Sequence, residues 1–149
     1  MIITPDDIVT YARTWIGAKW RHQGRGHGPD RGIDCAGLLV RTAQNFALPC
    51  EDLQGYRRDP SIQFVRQINT FTIKHNIPIH GAIGIFNDTV QPCHTGIFAV
   101  DPITGRVTVI HAESMPKRRV HEQDYSESIP SLKDRLVSIR LFKGVDYVL

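Results

Sequence analysis

Several things are scarce in this chain of 149 residues. No apolar run approaches the roughly 20 residues that a membrane-spanning helix needs. The start, Met1-Ile2-Ile3-Thr4-Pro5-Asp6-Asp7, has neither the basic stretch nor the apolar core of a secretory signal, so synthesis in the cytoplasm without a signal peptide is expected. Charge of one sign is scarce too. Eighteen Lys and Arg against fifteen Asp and Glu leave a net charge of +3, too mild for a dedicated nucleic-acid binder. Cysteine is limited to Cys35, Cys50 and Cys93, with no C-x-x-C pair, which argues against a disulfide-stapled scaffold and leaves at least one thiol unpaired within the chain unless a metal takes it. Repeats, low-complexity stretches and linkers are missing. What remains, 41% hydrophobic and 22% charged residues, is an ordinary globular composition, and the length suits a single domain over residues 1–149.

Thr4-Pro5-Asp6-Asp7 reads as a helix start, with a capping hydroxyl, a proline at the first helical position and acids in the first turn. Ile8, Tyr11, Ala12, Trp15 and Ile16 follow at helical spacing, predicting a helix from about Thr4 to Ile16 that Gly17 closes. The glycine-rich stretch from Gly24 to Gly32 reads as a surface loop. Asp34 then caps a second apolar stripe through Leu38, Leu39, Ala43, Phe46 and Ala47, ending before Pro49. Asp59-Pro60 starts a third helix that is expected to run to about Lys74. From Ile77 on the pattern becomes β-rich: Ile83–Phe86, Gly96–Val100 and Val107–Ile110 read as strands, with a hairpin turn at Asp101–Gly105. Arg118–Glu122 and Leu136–Phe142 extend the series. Helices first and strands after predict an α+β domain with an antiparallel sheet.

Cys35 falls in the first turn of the second helix, where the positive end of the helix dipole and unpaired amides favour a nucleophilic thiolate. A buried, inert thiol is the competing reading. Gly37 in the same turn costs helix stability, a cost accepted where a substrate or another backbone comes close. A nucleophilic thiol needs a base, and the base needs a partner that fixes its tautomer. His94 opens one strand and His111 ends the next, so an antiparallel hairpin brings the two imidazoles together. Cys93, beside His94 on a strand, points to the opposite face and reads as structural.

With Asp34-Cys35-Ala36-Gly37-Leu38, His94-Thr95-Gly96-Ile97-Phe98 and Ile110-His111-Ala112 in that order, the sequence resembles the NlpC-type cell-wall cysteine peptidases. Trp15-Ile16-Gly17, Trp20 to Arg25, Gly55-Tyr56-Arg57 and Arg119-Val120-His121-Glu122 are similar to the branch carried by tailed bacteriophages and prophages as tail-associated proteins. The resemblance implies a circularly rearranged papain-like fold, with N-terminal helices packed on a central antiparallel sheet. It implies hydrolysis of peptidoglycan stem peptides, typically beside D-glutamate and diaminopimelate, with Cys35 as nucleophile, His94 as base and His111 as its orienter. It implies no cofactor and no metal, a place in the virion tail acting at the cell wall, and other phage tail proteins as partners. Where the family commonly has a tyrosine that helps hold the oxyanion, this chain has Trp20. Ala36 stands in place of the usual serine, and His80-Gly81-Ala82-Ile83 in place of Pro-Gly-Asp. Asp34 reads first as a helix cap and second as a contact for a substrate amine. Arg21, Arg25 and Arg31, with His27, form a basic loop that either meets the carboxylates of an acidic stem peptide or is simply solvated.

Two rivals come from other classes. One is a tail-assembly or wall-binding module that keeps the fold without catalysis. The other is a zinc hydrolase using His94, His111 and Glu113 or Asp34, which no H-E-x-x-H or C-x-x-C spacing supports.

Overall fold

The structure, a computed structural model, describes residues 1–28, 31–52, 62–87, 92–128 and 130–148. The expected cap at Asp59-Pro60, the Gly55-Tyr56-Arg57 segment and the side chain of Cys93 lie outside the described residues.

The first helix, α1 (Pro5–Arg13), begins as the sequence predicts. Thr4 accepts from the amide of Asp7 while the Asp7 carboxylate accepts from the amide of Thr4, a reciprocal cap that satisfies two otherwise orphaned donors. It ends three residues earlier than expected, in a turn closed by Gly17 at φ +93°, and buries Ile8, Val9 and Ala12. Helix α2 (Cys35–Asn45) is capped by Asp34 and buried along most of its length, from Ala36 through Val40 and at Thr42 and Ala43. Thr42 donates its hydroxyl to the carbonyl of Leu38, which removes the cost of a buried hydroxyl.

Among the described residues, helix α3 (Ile62–Thr70) ends about four residues before the predicted end near Lys74. Residues Thr72–Lys74, expected as its last turn, belong instead to strand β1 (Thr72–His75), paired with the far C-terminal strand through Thr72↔Phe142 to His75↔Ile139. Sheet pairing across nearly 70 residues of chain overrides the local helical spacing there. The remaining strands are β2 (Ile83–Asn87), β3 (Pro92–Val100), β4 (Val107–Glu113), β5 (Arg119–Asp124) and β6 (Leu136–Phe142). Arg118, expected inside β5, adopts φ +56°, which a strand cannot accommodate, so the strand starts one residue later.

The sheet is antiparallel, in the order β1-β6-β2-β3-β4-β5. The predicted hairpin joins β3 to β4, with Val100 opposite Val107 and the Asp101 carboxylate accepting from the amides of Ile103 and Thr104. Alternation along the strands gives the sheet two faces. Ile83, Ile85, Ile97, Ile110, Ala112 and Val120 pack with the helices. Phe86, Phe98 and Val109 form a second cluster with Tyr125, Leu132, Ile139 and Leu141. Ile3 pairs with Val145 in a short parallel bridge, and the amide of Asp146 donates to the Ile3 carbonyl, so the two ends of the domain lie side by side.

Candidate active site

Asp34 is 3% exposed, and both of its carboxylate oxygens are in use. Oδ1 accepts from the amide of Gly37 at 2.8 Å and from Arg25 Nη1 at 3.0 Å, while Oδ2 accepts from the amide of Gln23 at 2.7 Å. One side chain therefore caps α2 and anchors the glycine-rich loop to the helix start. Gly37 serves the same junction: a Cβ there would collide with the carbonyl oxygen of Gly24 and the side chain of Ile33. The close approach inferred from the sequence is that of the loop's own backbone. The loop is seated further by His27, whose ring stacks on Trp15 with centroids 3.6 Å apart.

This arrangement places Cys35, partly buried, at the first position of α2. Its carbonyl accepts from the hydroxyl of Thr95 at 3.2 Å, tying the start of α2 to β3 at the residue after His94. Neither Cys35 nor Cys50 forms a disulfide. Burial, with Asp52 second, pushes the Cys50 thiol up to about 11, so it is an inert protonated group near neutral pH.

His94 and His111 are in direct contact, as the hairpin argument required. His111 is fully buried, and both of its ring nitrogens are engaged: Nδ1 lies 2.7 Å from His94 Nε2, and Nε2 lies 2.8 Å from Gln123 Oε1. A carboxamide oxygen can only accept, so His111 Nε2 carries a proton and donates it to Gln123. His111 Nδ1 then holds a lone pair, His94 Nε2–H donates to it, and the basic lone pair of His94 is left on Nδ1. Gly96 sits across from His111, and a Cβ there would press into Val109 and His111, so its missing side chain makes room for the pair. Burial, followed by the positive charge of Arg135, lowers the pKa of His94 to about 4. Burial also lowers that of His111 to about 3, with His94 as the next cause. Both rings are neutral near pH 7, the state a general base must occupy. A small cavity of about 60 Å³ opens beside them, lined by His94, Glu113, Ser114, Met115 and Arg135.

The other expected site residues have mixed placements. Trp20 is partly buried against the helix-side core; its amide donates to the Arg118 carbonyl, and the backbone of residues 19 to 21 is hydrogen-bonded to Ile33, two residues before Cys35. Arg25 is committed to Asp34 and Asp52, each at 3.0 Å, so it organises the loop. Arg21 and Arg31 are exposed and line a cavity of about 340 Å³ with His22, Gln23 and Arg25. The metal-competent group among the described residues is His111, Glu113 and His121, whereas Asp34 is occupied as a cap and His94 is bonded to His111. Gln123 carries no local signal in the sequence. Its only signal is its register opposite Val109 on β5, two residues from His121, which puts it on the same side of the sheet as His111.

No protein-family model and no curated protein matches the sequence. Solved structures do match the fold. An NLP/P60 family protein of Staphylococcus aureus subsp. aureus Mu50, similar to lipoprotein, superposes with a TM-score of 0.65 at 15% identity over 96% of this chain; this chain spans 42% of that protein's length. The NlpC/p60 domain of the peptidoglycan hydrolase SagA superposes with a TM-score of 0.60 at 16% identity, over 92% of this chain and 97% of that domain. At these identities the likeness is one of fold: the chain has the α+β, papain-like architecture of the NlpC/P60 domains.

Proposed function

We propose that the chain is a cysteine peptidase that hydrolyses amide bonds of peptidoglycan stem peptides, in the setting of a phage or prophage tail. The observation that carries the enzymatic reading is the His94–His111 pair, bonded at 2.7 Å on the strand whose next residue holds the Cys35 carbonyl. The fold shared with a domain of a peptidoglycan hydrolase supports the substrate class. The tail setting is supported by the sequence resemblance of the Trp15–Arg25 and Arg119–Glu122 segments.

In this mechanism the Cys35 sulfur attacks the scissile carbonyl carbon while the thiol proton passes to His94 Nδ1. The carbonyl π electrons move to oxygen, and the oxyanion is held by the Cys35 amide and the Trp20 indole N–H, a term worth about 3–4 kcal/mol when one donor is lost. Collapse of the intermediate breaks the C–N bond as His94 returns the proton to the leaving amine, leaving a thioester. Water, deprotonated by His94, attacks that thioester, releasing the acid product and restoring the thiol. His111 keeps the His94 ring in the attacking tautomer throughout. Arg21 and Arg31 offer guanidinium groups to the carboxylates of an acidic stem peptide, and the reaction draws on no cofactor.

Digestion of purified muropeptides by the wild type and by Cys35→Ala, read by mass spectrometry with and without a chelator, tests this reading. Cleavage by the wild type alone, undiminished by chelator, is expected. Loss of cleavage on chelation would shift the case to a zinc hydrolase. No cleavage of any muropeptide would leave a wall-binding or tail-assembly module on the same fold.

A further inference from the structure

His111 also belongs to a second group, whose other two members, Glu113 and His121, the proposed reaction does not use. His111, Glu113 and His121 each offer one ligand atom, and these atoms lie within 4.8 Å of one another. The register of the sheet builds the group: His111 faces His121 directly across β4 and β5, and Glu113 lies two residues further on the same side. The His111 and His121 rings are 4.5 Å apart between centroids. Among the described residues, His121 Nε2 is a buried ring nitrogen with no hydrogen-bond partner, an arrangement that costs free energy. It faces Glu113 Oε2 at 3.4 Å. Two donors bound at about 2.0–2.1 Å to one tetrahedral ion are about 3.3–3.4 Å apart, so this edge already has the spacing of a zinc site.

We propose that His111, Glu113 and His121 form an inhibitory binding site for a divalent cation of the zinc type, which switches off the imidazole pair by capturing His111. Two imidazoles and one carboxylate suit zinc-class ions far better than calcium or magnesium. The inhibitory sense follows from His111 having no spare nitrogen. An ion on Nδ1 displaces His94 and removes its orienter. An ion on Nε2 displaces Gln123, forces the proton onto Nδ1, and so reverses the hydrogen bond to His94, whose basic lone pair is lost from Nδ1. Either mode disables the base. The cavity shared by His94 and Glu113 gives the ion a route to the site.

The inhibitory half of the proposal rests on the peptidase reading, whereas the binding half does not, and the experiment separates them. Calorimetric titration of zinc chloride into the full chain carrying Cys35→Ala, which removes the thiol as a competing ligand, is expected to show one site. That binding is expected to weaken at least tenfold when Glu113→Gln or His121→Asn is added, with thermal melts checking that both variants fold. In the wild type, zinc is expected to inhibit muropeptide cleavage, and Glu113→Gln to raise the inhibitory concentration by the same factor. Absence of binding in the Cys35→Ala protein, or binding indifferent to both substitutions, would overturn the site. Binding at the site with full cleavage activity would overturn the switch, and binding in a protein that cleaves nothing would fault the peptidase reading alone.

Discussion

A carboxamide behind two imidazoles decides where two protons sit, and Gln123 is that carboxamide. Gln123→Leu removes the acceptor for His111 Nε2–H and lets His111 take either tautomer. Under the proposed mechanism the expected outcome is a fall in kcat of roughly 10- to 100-fold, by analogy with the loss of a hydrogen-bonding partner behind a metal-bound imidazole. KM should change little, because Gln123 acts through its hydrogen bond to His111. Gln123→Glu keeps an acceptor and should recover most of the rate, with the acid limb of the pH profile shifted upward by the added negative charge. A Leu variant as active as the wild type would mean that the tautomer is set elsewhere. The placement of Cys35 at a helix start and of His94 and His111 on paired strands was legible from local patterns, although β3 begins at Pro92, two residues before His94, and β4 runs on past His111 to Glu113. Gln123 has no such pattern. It lies in a run of polar residues, and only the pairing of β4 with β5 reveals what it touches.

At the level of elements, the junction of the glycine-rich loop with the start of α2 matters most. Asp34→Ala removes a helix cap, worth about 1 kcal/mol, and takes one acceptor each from the Gln23 amide and the Arg25 guanidinium, which keeps Asp52 and the Gly24 carbonyl, at a further cost of about 1–3 kcal/mol. Chemical denaturation should show the combined loss, and under the proposed mechanism cleavage should fall further than stability because Cys35 is the next residue along. Asp34→Asn retains the cap and should fall between. An alanine variant of wild-type stability would show that the loop seats itself by other contacts. Both helix starts were legible because caps are local signals read over four residues. β1 was not, since the pairing that makes Thr72–His75 a strand comes from Ile139–Phe142, far along the chain. The role of Arg25 was hidden for a related reason: it looked like part of a cationic surface, and only the fold shows it turned inward to Asp34 and Asp52.

For the whole molecule, the two neutral histidines tie stability to pH. Their folded pKa values, about 4 for His94 and about 3 for His111, lie below the ordinary value of 6.5. As pH falls below 6.5 the unfolded chain takes up protons that the native state refuses, so stability is full above 6.5 and declines towards pH 4 and below. Carboxylates held down by partners, such as Glu122 beside Arg13, add their own loss only below their ordinary value of 4.5. The melting temperature should therefore begin to drop between pH 6.5 and 5, before those carboxylates titrate. A melting temperature flat to pH 5 would contradict the burial of the pair.

The parallel bridge between Ile3 and Val145 has a consequence of another kind. A domain whose entry and exit points touch behaves as a cassette: it can be spliced into a surface turn of a host protein through two neighbouring junctions, without stretching either polypeptide. The α2 start and the imidazole pair are built from elements inside that bridge, so both travel with the cassette intact.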